Sequence, residues 1–201
     1  MTREVSKMGV RFTVDQDQPA GDWGGPGFWD WFESETWEPD TARVLRLCLD
    51  SDTTYVDVGA WIGDTVLLGA CRAGSVIAFE PDPTARAVLK RNLSLNPLME
   101  NVQVRDEALS DRSGRGGLVY VGESGDSLTQ LEPRDISAAP GDDGTVSQLD
   151  VREFPAQEPV WQEVGFSSSS TLRDLNTRSS PRCATISATS GRTSSSRFIP
   201  T

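Results

Sequence analysis

The segment Tyr55-Val56-Asp57-Val58-Gly59-Ala60-Trp61-Ile62-Gly63-Asp64-Thr65 restricts what this chain can fold into more than any other. Thr54 to Val58 is a β-branched and aromatic run, the pattern of a parallel strand buried on both faces. Gly59 and Gly63 follow directly, and a helical pattern over Asp64 to Ala73 starts straight after them. Gly74 breaks that helix. Ser75 to Phe79 then reads as a second strand. Asp82 to Leu95 reads as a second helix with Ala85, Val88, Leu89 and Leu93 inward, and Asn101 to Arg105 as a third strand. Strand, glycine turn, helix, strand, helix, strand is the order of a doubly wound, Rossmann-like α/β fold, with a parallel sheet and right-handed crossovers.

The flanks are less regular. Val10 to Val14 alternates and predicts an edge strand or a loose arm. Residues 23 to 39 hold Trp23, Phe28, Trp29, Trp31, Phe32 and Trp37, and Asp30 to Thr36 fits a short helix within them. This aromatic segment is expected to pack over the main domain, or to lid its pocket as well. Asp40 or Thr41 is expected to cap a helix whose apolar face is Ala42, Val44, Leu45, Leu47, Cys48 and Leu49. After the third strand come a turn near Ser110 to Gly117, a strand from Gly117 to Val121, and a strand and turn over Val146 to Phe154.

Composition narrows the function. Acidic residues number 30 against 19 basic ones, a net charge of -11. That balance argues against a nucleic-acid partner, which wants a positive face. Two lysines against seventeen arginines, on an acidic background, fit a halophilic cytosol or a GC-rich genome. There is no histidine, so Ser-His-Asp and Cys-His catalysis are excluded for this chain alone. Three scattered cysteines, Cys48, Cys71 and Cys183, give neither a disulfide framework nor a metal site. Cys48 and Cys71 fall in apolar helical patterns and are expected to be buried thiols. No window approaches the roughly eighteen apolar residues of a membrane span, and no signal segment opens the chain, so a cytoplasmic location is expected.

The glycine turn points to a nucleotide cofactor. Gly59 lets the backbone turn sharply beside a ligand, and Gly63 allows close approach where the helix begins. Asp57, at the strand's carboxyl end, can accept from an ammonium group or an ordered water. The first N–H groups of the following helix can meet a carboxylate. A dinucleotide fingerprint would place its first glycine at position 57, where a carboxylate would repel a pyrophosphate. Asp57 suits the amino-acid half of S-adenosylmethionine instead. Glu80, at the tip of the second strand and seventeen residues after Gly63, can take both ribose hydroxyls. Phe79 or Pro81 is placed near the adenine, and Asp106 or Glu107 near its amino group. Asp82 can cap the next helix. Asp126 and Glu123 are the candidate general bases.

These residues resemble the FkbM family of S-adenosylmethionine-dependent methyltransferases. The matching pieces are FWDWFESETWEPD (28 to 40), YVDVGAWIGDTVLLGA (55 to 70), VIAFEPDP (76 to 83), LKRNLSLNPLMENVQV (89 to 104) and EALSDRSGRGGL (107 to 118). The likeness spans residues 28 to 130, with the run from Asp57 through Glu80-Pro81-Asp82-Pro83 to Asn92 and Asn96 at its centre. It implies a class I methyltransferase sheet and S-adenosyl-L-methionine as cofactor. The implied cofactor-binding residues are Asp57, Gly59, Gly63, Glu80, Pro81 and Glu107. The implied acceptor is a small-molecule or sugar hydroxyl. An inactive remnant of such an enzyme is the alternative.

The pattern departs from the family downstream. TLRDL at 171 to 175 matches a family segment, but no acidic strand follows. Residues 167 to 201 hold 11 Ser, 6 Thr and 5 Arg with a single acid. Disorder, or out-of-frame translation after a frameshift, is expected there. The expected organisation is an N-terminal arm and aromatic segment (1 to 39), a cofactor-binding domain (40 to 166) and a Ser/Thr/Arg tail (167 to 201). The sheet is expected to be incomplete, either truncated or completed by association with another copy.

Overall fold

The chain opens with a hairpin. β1 (Thr2–Lys7) pairs antiparallel with β2 (Val10–Asp15) in the register Lys7↔Val10. Met8 and Gly9, with φ of 54° and 79°, form the two-residue turn that suits strand twist. Val5, Phe12 and Val14 are buried, so this is no loose arm. The sequence conceals β1 because its inward positions are Val5 and Lys7, and Lys7 reads as polar. These features belong to a computed structural model that describes residues 1–17, 26–120, 124, 125, 127, 129–132 and 145–154, and the backbone of 185–188.

Helix α1 (Pro26–Glu33) starts and ends earlier than the expected Asp30 to Thr36. It drives Phe28, Trp29 and Phe32 into the core, where Trp37 joins them at 4.5 Å from Phe32, while Trp31 stays exposed. Trp23 lies outside the described residues. Helix α2 (Pro39–Cys48) begins at a left-handed Glu38, φ 30°, with Pro39 in its first turn. Neither Asp40 nor Thr41 is its N-cap, because Pro39 brings the helix start forward. Ala42, Leu45 and Leu49 are buried, but Val44 and Leu47 face outward.

The parallel sheet follows. β3 (Thr54–Val58), α3 (Asp64–Ala70), β4 (Ser75–Phe79), α4 (Pro83–Ser94) and β5 (Val102–Arg105) alternate as expected. β3 pairs with β4 and β4 with β5, all parallel. Side chains alternate across the sheet. Tyr55, Val76 and Ala78 join the larger core with Leu67, Leu89 and the hairpin. Val56, Ile77 and Phe79 form a second cluster with Leu149 and Phe154. Helix α3 ends at Ala70, where Asn101 Nδ2 bonds the Ala70 and Ala73 carbonyls. Cys71 is therefore exposed and Cys48 only half-buried, against the expectation of two buried thiols.

A second sheet has the order β6-β9-β7-β8. Its strands are β6 (Ala108–Ser110), β7 (Gly114–Val119), β8 (Gln130–Glu132) and β9 (Thr145–Asp150). Its turn residue Phe154 packs edge-on against Phe79 at 5.2 Å, which covers the second face of the parallel sheet. β10 (Thr185–Ala188) lies parallel beside β3, from Thr185↔Tyr55 to Ala188↔Val58. These four residues fall in the segment expected to be without structure. The free edge of the buried β3 explains the pairing, since unpaired N–H and C=O groups there are costly. The parallel sheet thus has four described strands, ordered β10-β3-β4-β5, in a Rossmann-like α/β arrangement. No helix among the described residues is long and apolar enough to cross a membrane.

Gly63 is a tight joint between the glycine turn and α4. Its φ is 90°, and an added Cβ would lie 2.4 Å from Leu89 Cδ1. Both the left-handed backbone and the contact with α4 oppose a side chain. Gly63→Ala is expected to lower stability by roughly 2–3 kcal/mol, read from the midpoint shift in urea unfolding.

Candidate cofactor site

Parallel β3 and β4 end side by side, and their carboxyl ends deliver the candidate residues to one place. Gly59, with φ 77°, begins the turn after β3, and the N–H groups of Gly59 and Ala60 both donate to the Phe79 carbonyl at 2.9 Å. The turn after β3 is thereby fastened to the end of β4. Trp61 sits in the middle of the turn with φ 44°, a strained conformation for a large side chain.

Glu80 holds that strain in place. Its Oε2 accepts from the Trp61 backbone N–H at 2.6 Å, and its Oε1 accepts from the Asp82 N–H at 2.8 Å. It is 6% exposed. Burial pushes its carboxyl up to about 7, against the pull of those two N–H bonds. Asp82 caps α4 as expected, its Oδ1 accepting from Thr84 N–H at 2.8 Å. Asp82 Oδ2 also accepts from Gly125 N–H at 2.6 Å.

Asp57 is fully buried beneath the turn. Its Oδ2 accepts from Tyr55 Oη at 3.0 Å and from Thr65 Oγ1 at 2.6 Å. Its Oδ1 is buried and has no partner among the described residues. Burial raises this carboxyl to about 6, although both hydroxyl bonds oppose the shift. Asp64, the first residue of α3, is pushed to about 7 by burial and then by the charge of Asp57. Three desolvated acids thus surround the glycine turn, an environment that favours a cationic ligand group.

Gly59, Trp61, Glu80 and Pro81 form one wall of a small cleft open to solvent. Leu118, Ser127, Thr129 and Leu131 form the other. Leu118 and Leu131 face each other across the β7–β8 pair. The expected site residues therefore separate into groups. Gly59, Glu80 and Pro81 line the cleft, with Asp57 two residues before Gly59. Gly63 packs on α4. Glu107 is held by Arg105 at 2.7 Å and lowered by that ion pair, outside the cleft lining. Asp106 is exposed. Glu123, Asp126 and the TLRDL segment lie outside the described residues.

Trp61, Leu118, Ser127, Thr129 and Leu131 were not among the expected site residues. Trp61 carries a usable signal: an aromatic inside a glycine turn has no strand or helix face to occupy. Leu118 and Leu131 come from a second sheet whose pairing no local pattern announces, and Ser127 and Thr129 from just before β8.

No family model matches the chain, and no curated protein matches it. Among solved structures, it is similar to an rRNA methylase from Streptococcus thermophilus at 21% identity, covering 35% of this chain and 38% of that one, TM-score 0.33. It is similar to the tRNA m1G37 methyltransferase of M. jannaschii at 18% identity, covering 56% and 36%, TM-score 0.35. A third is geranyl diphosphate C-methyltransferase from Streptomyces coelicolor A3(2), in complex with Mg2+, geranyl diphosphate and S-adenosyl-L-homocysteine, at 20% identity, covering 47% and 38%, TM-score 0.33. The match spans less than two-fifths of each of these three chains. Scores this low carry no argument about activity, and the fold rests on the strand order above.

Three expectations are corrected. The FkbM assignment is withdrawn, because no family model matches and the matched structures are methyltransferases of other kinds. A class I, Rossmann-type scaffold remains. The exclusion of a nucleic-acid partner is withdrawn, because it rested on net charge alone. Net charge is a sum over the chain and does not describe any one face. The halophilic reading is also dropped. Asp15, Asp57, Asp64, Glu80, Asp82 and Asp150 are buried rather than part of a hydrated acidic surface.

The buried acids predict a pH signature. Asp57, Asp64 and Glu80 are raised in the folded state to about 6, 7 and 7. The folded chain then binds more protons than the unfolded chain between roughly pH 4 and pH 7. Stability is fully present below that window and lost as pH rises through it. The melting temperature is expected to fall between pH 5 and pH 8, and Asp64→Asn to flatten that fall, as differential scanning calorimetry can read.

Proposed function

We propose that this chain binds S-adenosylmethionine in the cleft and transfers its methyl group to a hydroxyl of a small molecule or sugar. The observation that carries the reading is the pair of buried acids at adjoining strand ends, Asp57 with an unpartnered oxygen and Glu80 on the cleft wall. The residues fit the cofactor. Asp57, buried beneath the turn, would favour the methionine ammonium through its charge rather than by direct contact. Each Glu80 oxygen uses one lone pair on a backbone N–H and keeps another for a ribose hydroxyl. Gly59 leaves room for close backbone approach. Pro81, Leu118 and Leu131 offer apolar surface to the adenine.

The bound cofactor supplies a methyl group on a sulfonium, a good leaving group. The chain's own residues would orient it and leave one side of the cleft open to an acceptor. Ser127 and Thr129 give that wall hydroxyls beside the leucines, a mixed surface suited to a small hydroxylated acceptor.

Calorimetric titration with S-adenosylhomocysteine tests the cofactor half. Binding is expected at pH 8, with a loss of roughly 10- to 100-fold in Glu80→Ala. Affinity is expected to fall from pH 8 to pH 6, because protonation near 7 removes the carboxylate that accepts both ribose hydroxyls. A folded wild-type chain that does not bind would overturn the proposal and leave an inactive remnant. Labelled methyl transfer to hydroxylated small molecules and sugars, beside total tRNA and rRNA, tests the acceptor half. Transfer to RNA alone would replace that half and keep the cofactor half.

A further inference from the structure

Gly125 is held at both of its backbone polar groups by residues that border the cofactor cleft. Its N–H donates to Asp82 Oδ2 at 2.6 Å, and its carbonyl accepts from Trp61 Nε1 at 2.7 Å. Asp82 Oδ1 also accepts from Ser124 Oγ at 3.2 Å, and Ser124 Oγ lies 2.6 Å from Thr84 Oγ1. Asp82 and Trp61 are 1% and 8% exposed, so these bonds sit away from water, where their geometry is best kept. Ser127 and Thr129, two and four residues further on, belong to the cleft wall that faces Glu80.

We infer that Trp61 and Asp82 are positioning residues for the cofactor: together they clamp Gly125 and so fix Ser127 and Thr129 opposite Glu80. This rests on the cofactor reading above. Helix capping alone accounts for one oxygen of Asp82, through Thr84 N–H, and leaves the other unexplained. Core packing alone accounts for the Trp61 ring, edge-on to Phe28 at 4.9 Å, and leaves its indole N–H unexplained. Both surplus groups converge on the same residue. The backbone N–H of Trp61 simultaneously holds Glu80 at 2.6 Å. The ribose acid and the opposite wall are therefore referenced to a single strained residue.

Two conservative variants separate the clamp from the fold. Trp61→Phe keeps an aromatic ring against Phe28 and the backbone bond to Glu80 but loses the donor to Gly125. Asp82→Ser keeps a helix cap for α4 and cannot also reach Gly125. The expected result is loss of amide-exchange protection at Gly125 in each variant and roughly tenfold weaker S-adenosylhomocysteine binding at pH 8. The double variant should be little worse than either single one, because both break one clamp. A purely structural role would lower the melting temperature and leave the affinity unmoved. Variants that bind as tightly as a binding wild type would overturn this inference alone. A folded wild type that does not bind would overturn it together with the cofactor reading.

Discussion

The Glu80 carboxylate is the constraint on which the rest of this structure depends. It accepts one backbone N–H from the turn after β3 and one from the start of α4. Those two segments leave neighbouring parallel strands, and without a shared acceptor each would present a buried, unpaired donor. Desolvation raises its carboxyl to about 7, and those two bonds oppose that shift only in part. Around this group, Trp61 tolerates a left-handed backbone, and Asp82 is oriented to cap the helix and hold Gly125. The acid proposed to hold a ribose is thus also the pin of its own turn.

Helix α4 extends the same logic to the N-terminal hairpin. Asn92 Nδ2 donates to the Ile62 carbonyl in the glycine turn, and its Oδ1 accepts from Asp15 N–H. One turn later, Asn96 both donates to and accepts from the backbone of Thr13. The two amides act as a substitute neighbouring strand for the edge of β2. Glu33 of α1 does the same on the other side, accepting from Ser6 N–H at 2.7 Å and pairing with Arg3. Lys7 is buried because its amine reaches the Ser34 carbonyl and lies over the Phe32 and Trp37 rings. The aromatic segment therefore packs on a hairpin clamped along both edges, and Phe28 carries it to Trp61.

These contacts explain why short motifs pointed to a scaffold more securely than to one family. Gly63 is required by Leu89, Asp82 by the start of α4, and Asn92 and Asn96 by the hairpin. Such residues report how the turn and helix are assembled. A narrower family would have to be read from the other cleft wall, to which the second sheet contributes Leu118 and Leu131.

The sequence by itself determined the alternation of β3, α3, β4, α4 and β5. Burial on both faces gives the strands their apolar runs, and positions three and four apart give the helices theirs, so each element carries its own local signal. It also determined Asp57, Gly59 and Glu80, because the residue at a parallel strand's carboxyl end is placed by the strand alone. Tertiary structure decided the rest. Lys7 entered the core through partners up to thirty residues away, and β10 joined β3 across more than a hundred. The pairing of β7 with β8 set Leu118 and Leu131 opposite Glu80, where Ser127 and Thr129 join them. No local pattern encodes such pairings, because strand partners are chosen by the edges left unsatisfied once the nearer elements have packed.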